Sequence, residues 1–177
     1  MKNFVSGDFK MRNLIVDDFK LSPHFTFFEL TKTANSGFLN QNRAEALKYL
    51  KPLKHLATDI LEPIRAKFKK PIIITSGFRC YGLNKSLGSS NTSQHLKGEA
   101  ADFFIKGIAH NKVVKFLVED LGFNFGQLIL ETEDNSSWIH ISLGTPFRDK
   151  EKCRQVIKIN KKTFYEDNKR QNFTDTK

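Results

Sequence analysis

Two cysteines in 177 residues, Cys80 and Cys153, exclude a disulfide framework. No stretch approaches the roughly 18 consecutive apolar residues that a membrane-spanning helix needs. The start, Met1-Lys2-Asn3-Phe4-Val5-Ser6-Gly7-Asp8, lacks the apolar run of about 7–15 residues of a secretory signal. The expectation is therefore synthesis and folding in a cytoplasm. There is no internal repeat and no glycine-rich phosphate loop. Acidic side chains are the other scarcity: 19 Asp and Glu face 29 Lys and Arg, for a formal charge of +10. That balance invites a polyanion as partner, whether nucleic acid, an acidic membrane face or an anionic cell-wall polymer. Residues 145–177 alone hold ten Lys or Arg against five Asp or Glu, a net +5, which suggests a localising function for that segment.

What is present is enough for one domain with a real core, since a chain of about 150 residues buries close to 70% of its unfolded surface. Residues 1–20 read as an arm, 21–159 as the domain and 160–177 as a polar, charged tail expected to fray. Thr26 and Glu29 have the spacing of a capping box and predict a helix start. Leu50, Leu53, Ala57, Ile60, Leu61, Ile64 and Phe68 form an apolar stripe at spacings of mostly three and four, within a predicted helix from Asn42 to Lys69. Pro52 and Pro63 lie inside it and predict a kink or a division. Strands are predicted at Pro71–Thr75 and Glu99–Ile105, and a helix at His110–Leu121. A hairpin is expected from Gly126–Glu131 and Trp138–Leu143, and an edge strand at Arg154–Ile159. The class is α+β, with N-terminal helices packed on a small, mostly antiparallel sheet.

The chemistry concentrates in Ser93-Gln94-His95-Leu96-Lys97-Gly98-Glu99-Ala100-Ala101-Asp102. A carboxylate between Ala101 and Phe103 costs several kcal/mol to bury, of order 2–7 for an uncompensated polar group and more for a charge, unless something neutralises it. A cation does so, with His95 as the nearest co-ligand and Gly98 allowing a tight turn between them. In Ser137-Trp138-Ile139-His140-Ile141-Ser142, strand alternation sends Trp138, His140 and Ser142 to one face. Two His and one Asp, with a fourth position for water, match a catalytic zinc site. For each His taken alone, a hydrogen-bonded core histidine is the competing reading, and spacing does not choose between them. His24, His55 and His110 have no partner at ligand spacing, and Glu133 and Asp134 read as solvated turn residues. Both cysteines read as free thiols.

The pattern Ser-x-His-x-x-Gly-x-Ala-x-Asp, followed by Trp-Ile-His, resembles the zinc D-alanyl-D-alanine carboxypeptidases, peptidase family M15. Ile74-Thr75-Ser76-Gly77-Phe78-Arg79, Leu83-Asn84 with Gly88-Ser89, Phe27-Phe28-Glu29-Leu30 and Leu61-Glu62-Pro63-Ile64-Arg65 extend the resemblance over roughly Leu21 to Arg148. It implies one Zn2+ per chain held by His95, Asp102 and His140, and a peptidoglycan stem peptide as substrate. It also implies Arg79 orienting a substrate carboxylate or an oxyanion, with Ser93, Gln94 and Trp138 beside it. The best-studied relatives carry Asp or Glu three residues before the last His; here that position is Ser137. Glu131, on the polar alternation of Gln127-Leu128-Ile129-Leu130-Glu131, is the candidate general base if the hairpin register aligns it with His140. A monomeric peptidoglycan hydrolase of the phage or prophage endolysin type, released to the wall by a holin or similar route, is the leading expectation. A wall-binding or virion module with faded catalysis is the alternative from another class. Specific nucleic-acid binding rests on charge alone and is not expected.

Overall fold

The Thr26–Glu29 pairing forms as its spacing specifies: the Glu29 amide donates to Thr26 Oγ1 at 3.2 Å, and the Thr26 amide donates to Glu29 Oε2 at 2.8 Å. In the computed structural model, which describes residues 16–119, 123–133, 136–149, 153–161 and 169–172, this box closes one turn instead of opening a helix. The reason lies downstream. Thr31 and Thr33 return hydrogen bonds to local backbone, Thr31 Oγ1 to the Phe27 carbonyl and Thr33 Oγ1 from the Asn35 amide, which competes with a helical ladder. The turn buries Phe25, Phe27 and Leu30 in the core. Of the predicted arm, residues 1–15 lie outside the described residues; Asp18 and Phe19 pack on this turn through the Phe28 and Phe27 amides.

The predicted long helix is present in sections. A 3-10 turn (Ser36–Phe38) leads into α1 (Leu39–Ala46), a second 3-10 turn (Leu47–Tyr49), α2 (Leu50–His55), a π-helical turn (Leu56–Leu61) and α3 (Glu62–Phe68). Pro52 and Pro63 each sit in the first turn of a section, where a missing N–H costs least. Ahead of Pro63 the ladder widens, and the Glu62 amide reaches back five residues to the Ala57 carbonyl. The π turn buries Leu56, Ala57, Ile60 and Leu61 and packs against the sheet.

The remaining elements are β1 (Ile72–Ser76), α4 (Tyr81–Ser86), a 3-10 turn (Gln94–Lys97), β2 (Ala100–Ile105), α5 (His110–Glu119), β3 (Phe125–Glu133), β4 (Ser136–Leu143), β5 (Gln155–Lys161) and β6 (Lys169–Asn172). They build a six-stranded sheet in the order β1-β2-β4-β3-β5-β6. Every neighbouring pair is antiparallel except β3 and β5. The fold is the expected α+β, helices on a mostly antiparallel sheet. One sheet face contributes Ala101, Phe103, Leu128, Leu130, Ile139 and Ile141 to the core. The other carries Asp102, Gln127, Ile129, Glu131, Trp138 and His140.

Two expectations at the C-terminal end change. The Arg154–Ile159 strand is not an edge, because β5 pairs with β3 on one side and β6 on the other. The tail from residue 160 contributes Asn160–Lys161 and Lys169–Asn172 to the sheet, and its other residues lie outside the described ones. Nor is the basic segment simply a charged surface. Arg154 donates to the Phe123 carbonyl at 2.8 Å and to the Val118 carbonyl in the last turn of α5 at 2.9 Å, and lies over the Phe125 ring.

Candidate metal centre

Asp102 and His140 are direct cross-strand partners in β2 and β4, so the sheet register alone puts their side chains on one face. His95 arrives from a different kind of element. Ser93 caps the 3-10 turn by accepting from the His95 amide at 3.3 Å, and Gly98 ends the turn in the left-handed region at φ 67°. That conformation suits glycine and lets the chain pass straight into β2. The three donor atoms lie within 4.8 Å of one another and all three residues are buried. His140 Nδ1 stands 2.8 Å from Asp102 Oδ1, His95 Nε2 stands 3.2 Å from the same oxygen, and the two imidazole nitrogens are 3.2 Å apart. Among the described residues this is the one group of three or more potential ligands.

Protonation follows from the surroundings. His95 Nδ1 lies 2.6 Å from the Gly77 carbonyl, an acceptor only, so Nδ1 carries the proton and Nε2 presents its lone pair to the cluster. Burial lowers the His95 pKa, and the nearby Asp102 offsets only part of that, so the ring is neutral at pH 7. Burial pushes the Asp102 carboxyl up, but its interactions with His95 and His140 outweigh that and hold it well below the usual carboxylate range. Its second oxygen, Oδ2, takes a hydrogen bond from Arg79 Nη2 in a buried ion pair. Ser76 Oγ accepts from Arg79 Nε at 2.7 Å and Ser89 Oγ from Nη1 at 3.2 Å, which fixes the guanidinium plane.

The residues fit a metal ion. Three ligand atoms, His95 Nε2, His140 Nδ1 and Asp102 Oδ1, converge within 4.8 Å of one another. Zinc takes imidazole through an unprotonated ring nitrogen and a carboxylate in its ionised form, the donor types gathered here. The carbonyl of Gly77 and the hydroxyls of Ser76 and Ser89 supply the surrounding support. Gly77 is needed for space, because a Cβ there would run into the Leu30 carbonyl.

The cluster forms the floor of a cavity of about 700 Å³, within the size range of small-ligand sites. Arg79, Ser93, Gln94, Glu131 and Trp138 all line it. Glu131 pairs with Trp138, while Ile129 pairs with His140. Glu131 is therefore a diagonal neighbour of His140 on the same face, at about 7–8 Å between backbones. Ser137, by contrast, shares the alternation of Ile139 and Ile141, is exposed, and does not line the cavity. A spacing of three in a regular strand places the Ser137 and His140 side chains on opposite faces.

Sequence reasoning missed several participants. Glu133 ends β3 and lines the cavity; it is not a turn residue, and Asp134 lies outside the described residues. Ser89, Gln127 and Arg148 also line the cavity. A backbone acceptor such as the Gly77 carbonyl leaves no side-chain signal at all. Cys80 is a buried free thiol whose pKa burial raises, and it takes no part in the site. His24 and His55 pair with Glu62 and Asp59 away from the cluster.

No helix among the described residues is long and apolar enough to cross a membrane. No curated protein matches the chain. A family model for peptidase M15 matches residues 23–142, which is more than half the chain and spans all three candidate ligands. Peptidases of this kind are zinc-dependent, and the buried His-Asp-His group is compatible with such a site. A metallopeptidase framework thus accounts for both the matched span and the geometry at its centre, and the chain belongs to peptidase family M15.

Proposed function

We propose that this protein is a zinc peptidase that hydrolyses stem peptides or cross-links of peptidoglycan, in the manner of a phage or prophage endolysin. The observation that carries the reading is the buried His-Asp-His cluster on the floor of an open cavity with Glu131 on the same sheet face. His95, Asp102 and His140 hold the metal. A zinc ion there supplies Lewis acidity toward water and the scissile carbonyl. The Glu131 carboxylate takes a proton from the attacking water and returns it to the leaving amine nitrogen. Arg79 orients Asp102 through Nη2, and its remaining N–H groups on Nη1 and Nη2 stabilise the developing oxyanion. Trp138, Ser93 and Gln94 form walls against which the peptide lies. The +10 charge suits an anionic wall.

Mass spectrometry of purified sacculi digested by the zinc-loaded protein tests this directly, because new peptide termini identify both the activity and the bond. New amino termini are expected with the wild-type chain. An intact sacculus after digestion by protein holding one zinc per chain would overturn the reading.

A further inference from the structure

Arg148 follows β4 and crosses back over β3, where its side chain is held in a prepared position. An added Cβ at Gly126 would stand 2.8 Å from Arg148 Cδ, 2.9 Å from Ser142 Oγ and 2.5 Å from the Leu143 carbonyl oxygen. The absent side chain at Gly126 is thus the notch through which the Arg148 stem passes. Gln155 Oε1 accepts from Arg148 Nη2 at 3.2 Å and from Gln127 Nε2 at 3.0 Å, so one amide oxygen ties both groups together. Both Arg148 and Gln127 line the cavity.

This guanidinium is poorly satisfied. It makes one hydrogen bond with the described residues, and its Nε is buried with no partner. No carboxylate among the described residues lies within ion-pair distance of it. Glu99 is close enough to feel its charge, and burial nevertheless raises that carboxyl. Arg79, the other guanidinium of the cavity, already gives one N–H each to Ser76, Ser89 and Asp102. A half-buried, oriented guanidinium with an unsatisfied Nε is the arrangement that receives a carboxylate through two parallel hydrogen bonds.

Its place along the sheet defines what it reads. Ser142 is one same-face step from His140, about 7 Å along the strand, and Gly126 lies against Ser142. Glu131 lies on the other side of His140, opposite Trp138. We infer that Arg148, oriented by Gln155 and assisted by Gln127, is a specificity residue that binds a carboxylate of the peptide substrate on the side of the metal cluster away from Glu131. The inference rests on the peptidase reading and adds the substrate class, a peptide with a free carboxylate one or two residues from the scissile bond. In a stem peptide that carboxylate is either the C-terminal one or the α-carboxylate left free by a γ-linked glutamate.

The test uses the full-length zinc-loaded protein, a synthetic pentapeptide L-Ala-γ-D-Glu-L-Lys-D-Ala-D-Ala, and two analogues, each with one of those carboxylates amidated. Binding is measured by calorimetry and cleavage by kcat and KM, for wild type, Arg148→Gln and Arg148→Lys. Arg148→Gln is expected to weaken the free-acid peptide roughly ten- to a hundredfold, in Kd and KM more than in kcat, the worth of a charge-assisted hydrogen bond. Arg148→Lys is expected to recover part of the loss. One amidated analogue should bind wild type as weakly as the acid binds Arg148→Gln, with no further loss in the variant, and it identifies which carboxylate Arg148 reads. Equal losses on all three peptides, or unchanged binding in Arg148→Gln, would overturn the inference while cleavage leaves the peptidase reading standing. Carboxylate-selective binding that depends on Arg148 without cleavage of any peptide would support this subsite and overturn the catalytic reading.

Discussion

Replacing Asp102 by Asn removes one charge from the most enclosed part of the sheet and strands another. The Asp102 and Arg79 side chains are 8% and 12% exposed, so solvent cannot take over the lost pairing. With Asn at 102, Arg79 keeps the hydroxyls of Ser76 and Ser89 and a neutral amide oxygen in place of the carboxylate. Breaking a buried ion pair from one side costs about 3–5 kcal/mol, because the remaining charge is left uncompensated. For a chain of this length that corresponds to a fall in Tm of about 6–20 °C. The assay is thermal and urea unfolding of chelator-treated protein, so that loss of metal binding does not enter. Arg79→Met and the double variant complete the cycle. The double variant is expected to be more stable than the sum of the single losses by at least about 2 kcal/mol, since it removes both charges together. Losses that add to within about 0.5 kcal/mol would refute the stranded-charge argument. So would a single Asp102→Asn cost below about 1 kcal/mol, the range of a surface pair. Zinc per chain, measured by elemental mass spectrometry on untreated protein, should also fall in Asp102→Asn.

Glu131→Gln keeps the cavity shape and the three ligands, so zinc content should stay at one per chain while sacculus cleavage falls by about 10²–10⁴; turnover at the wild-type rate would exclude Glu131 as the base. The depressed His95 pKa means that the unfolded chain takes up a proton which the folded chain refuses. Stability of the chelated protein is therefore complete above the unfolded value of about 6.5 and declines below it, by at most about 1.4 kcal/mol per pH unit. Urea titrations between pH 8 and pH 5 check this, and His95→Gln should flatten the slope. Gly77→Ala forces a methyl group against the Leu30 carbonyl, a backbone atom with little freedom to move. A loss of about 1–3 kcal/mol is expected by thermal melting, together with weaker zinc retention, because the Gly77 carbonyl holds His95 Nδ1.

The metal cluster was legible because its residue types carry their own energetic argument. A carboxylate in an apolar strand and a histidine on the polar alternation of another have few uses, and the β2–β4 pairing sets them opposite each other. The apolar stripe from Leu50 to Phe68 was legible for the same reason, as a burial pattern. Its division was foreshadowed by Pro52 and Pro63, but the π turn was not, since it depends on which carbonyl the Glu62 amide reaches. α4 escaped notice because six residues are too few to show a 3.6-residue period. Arg148 was read as part of a charged surface; its role depends on the notch at Gly126, which no local pattern announces. The Thr26–Glu29 box shows the converse, a correct local signal that yields one turn because the following threonines compete for the backbone.

The pairing of Asp102 with His140 across two antiparallel strands has a consequence for assembly. A slip of one residue between β2 and β4 would swing Ile139 or Ile141 toward the metal side and bury the imidazole in the oily layer. Such a mispaired sheet offers no three-point chelate. A metal ion bound by this group would therefore favour chains whose central strands have met in the right phase. Metal content of a refolded sample would then report on strand alignment, independently of any catalytic assay.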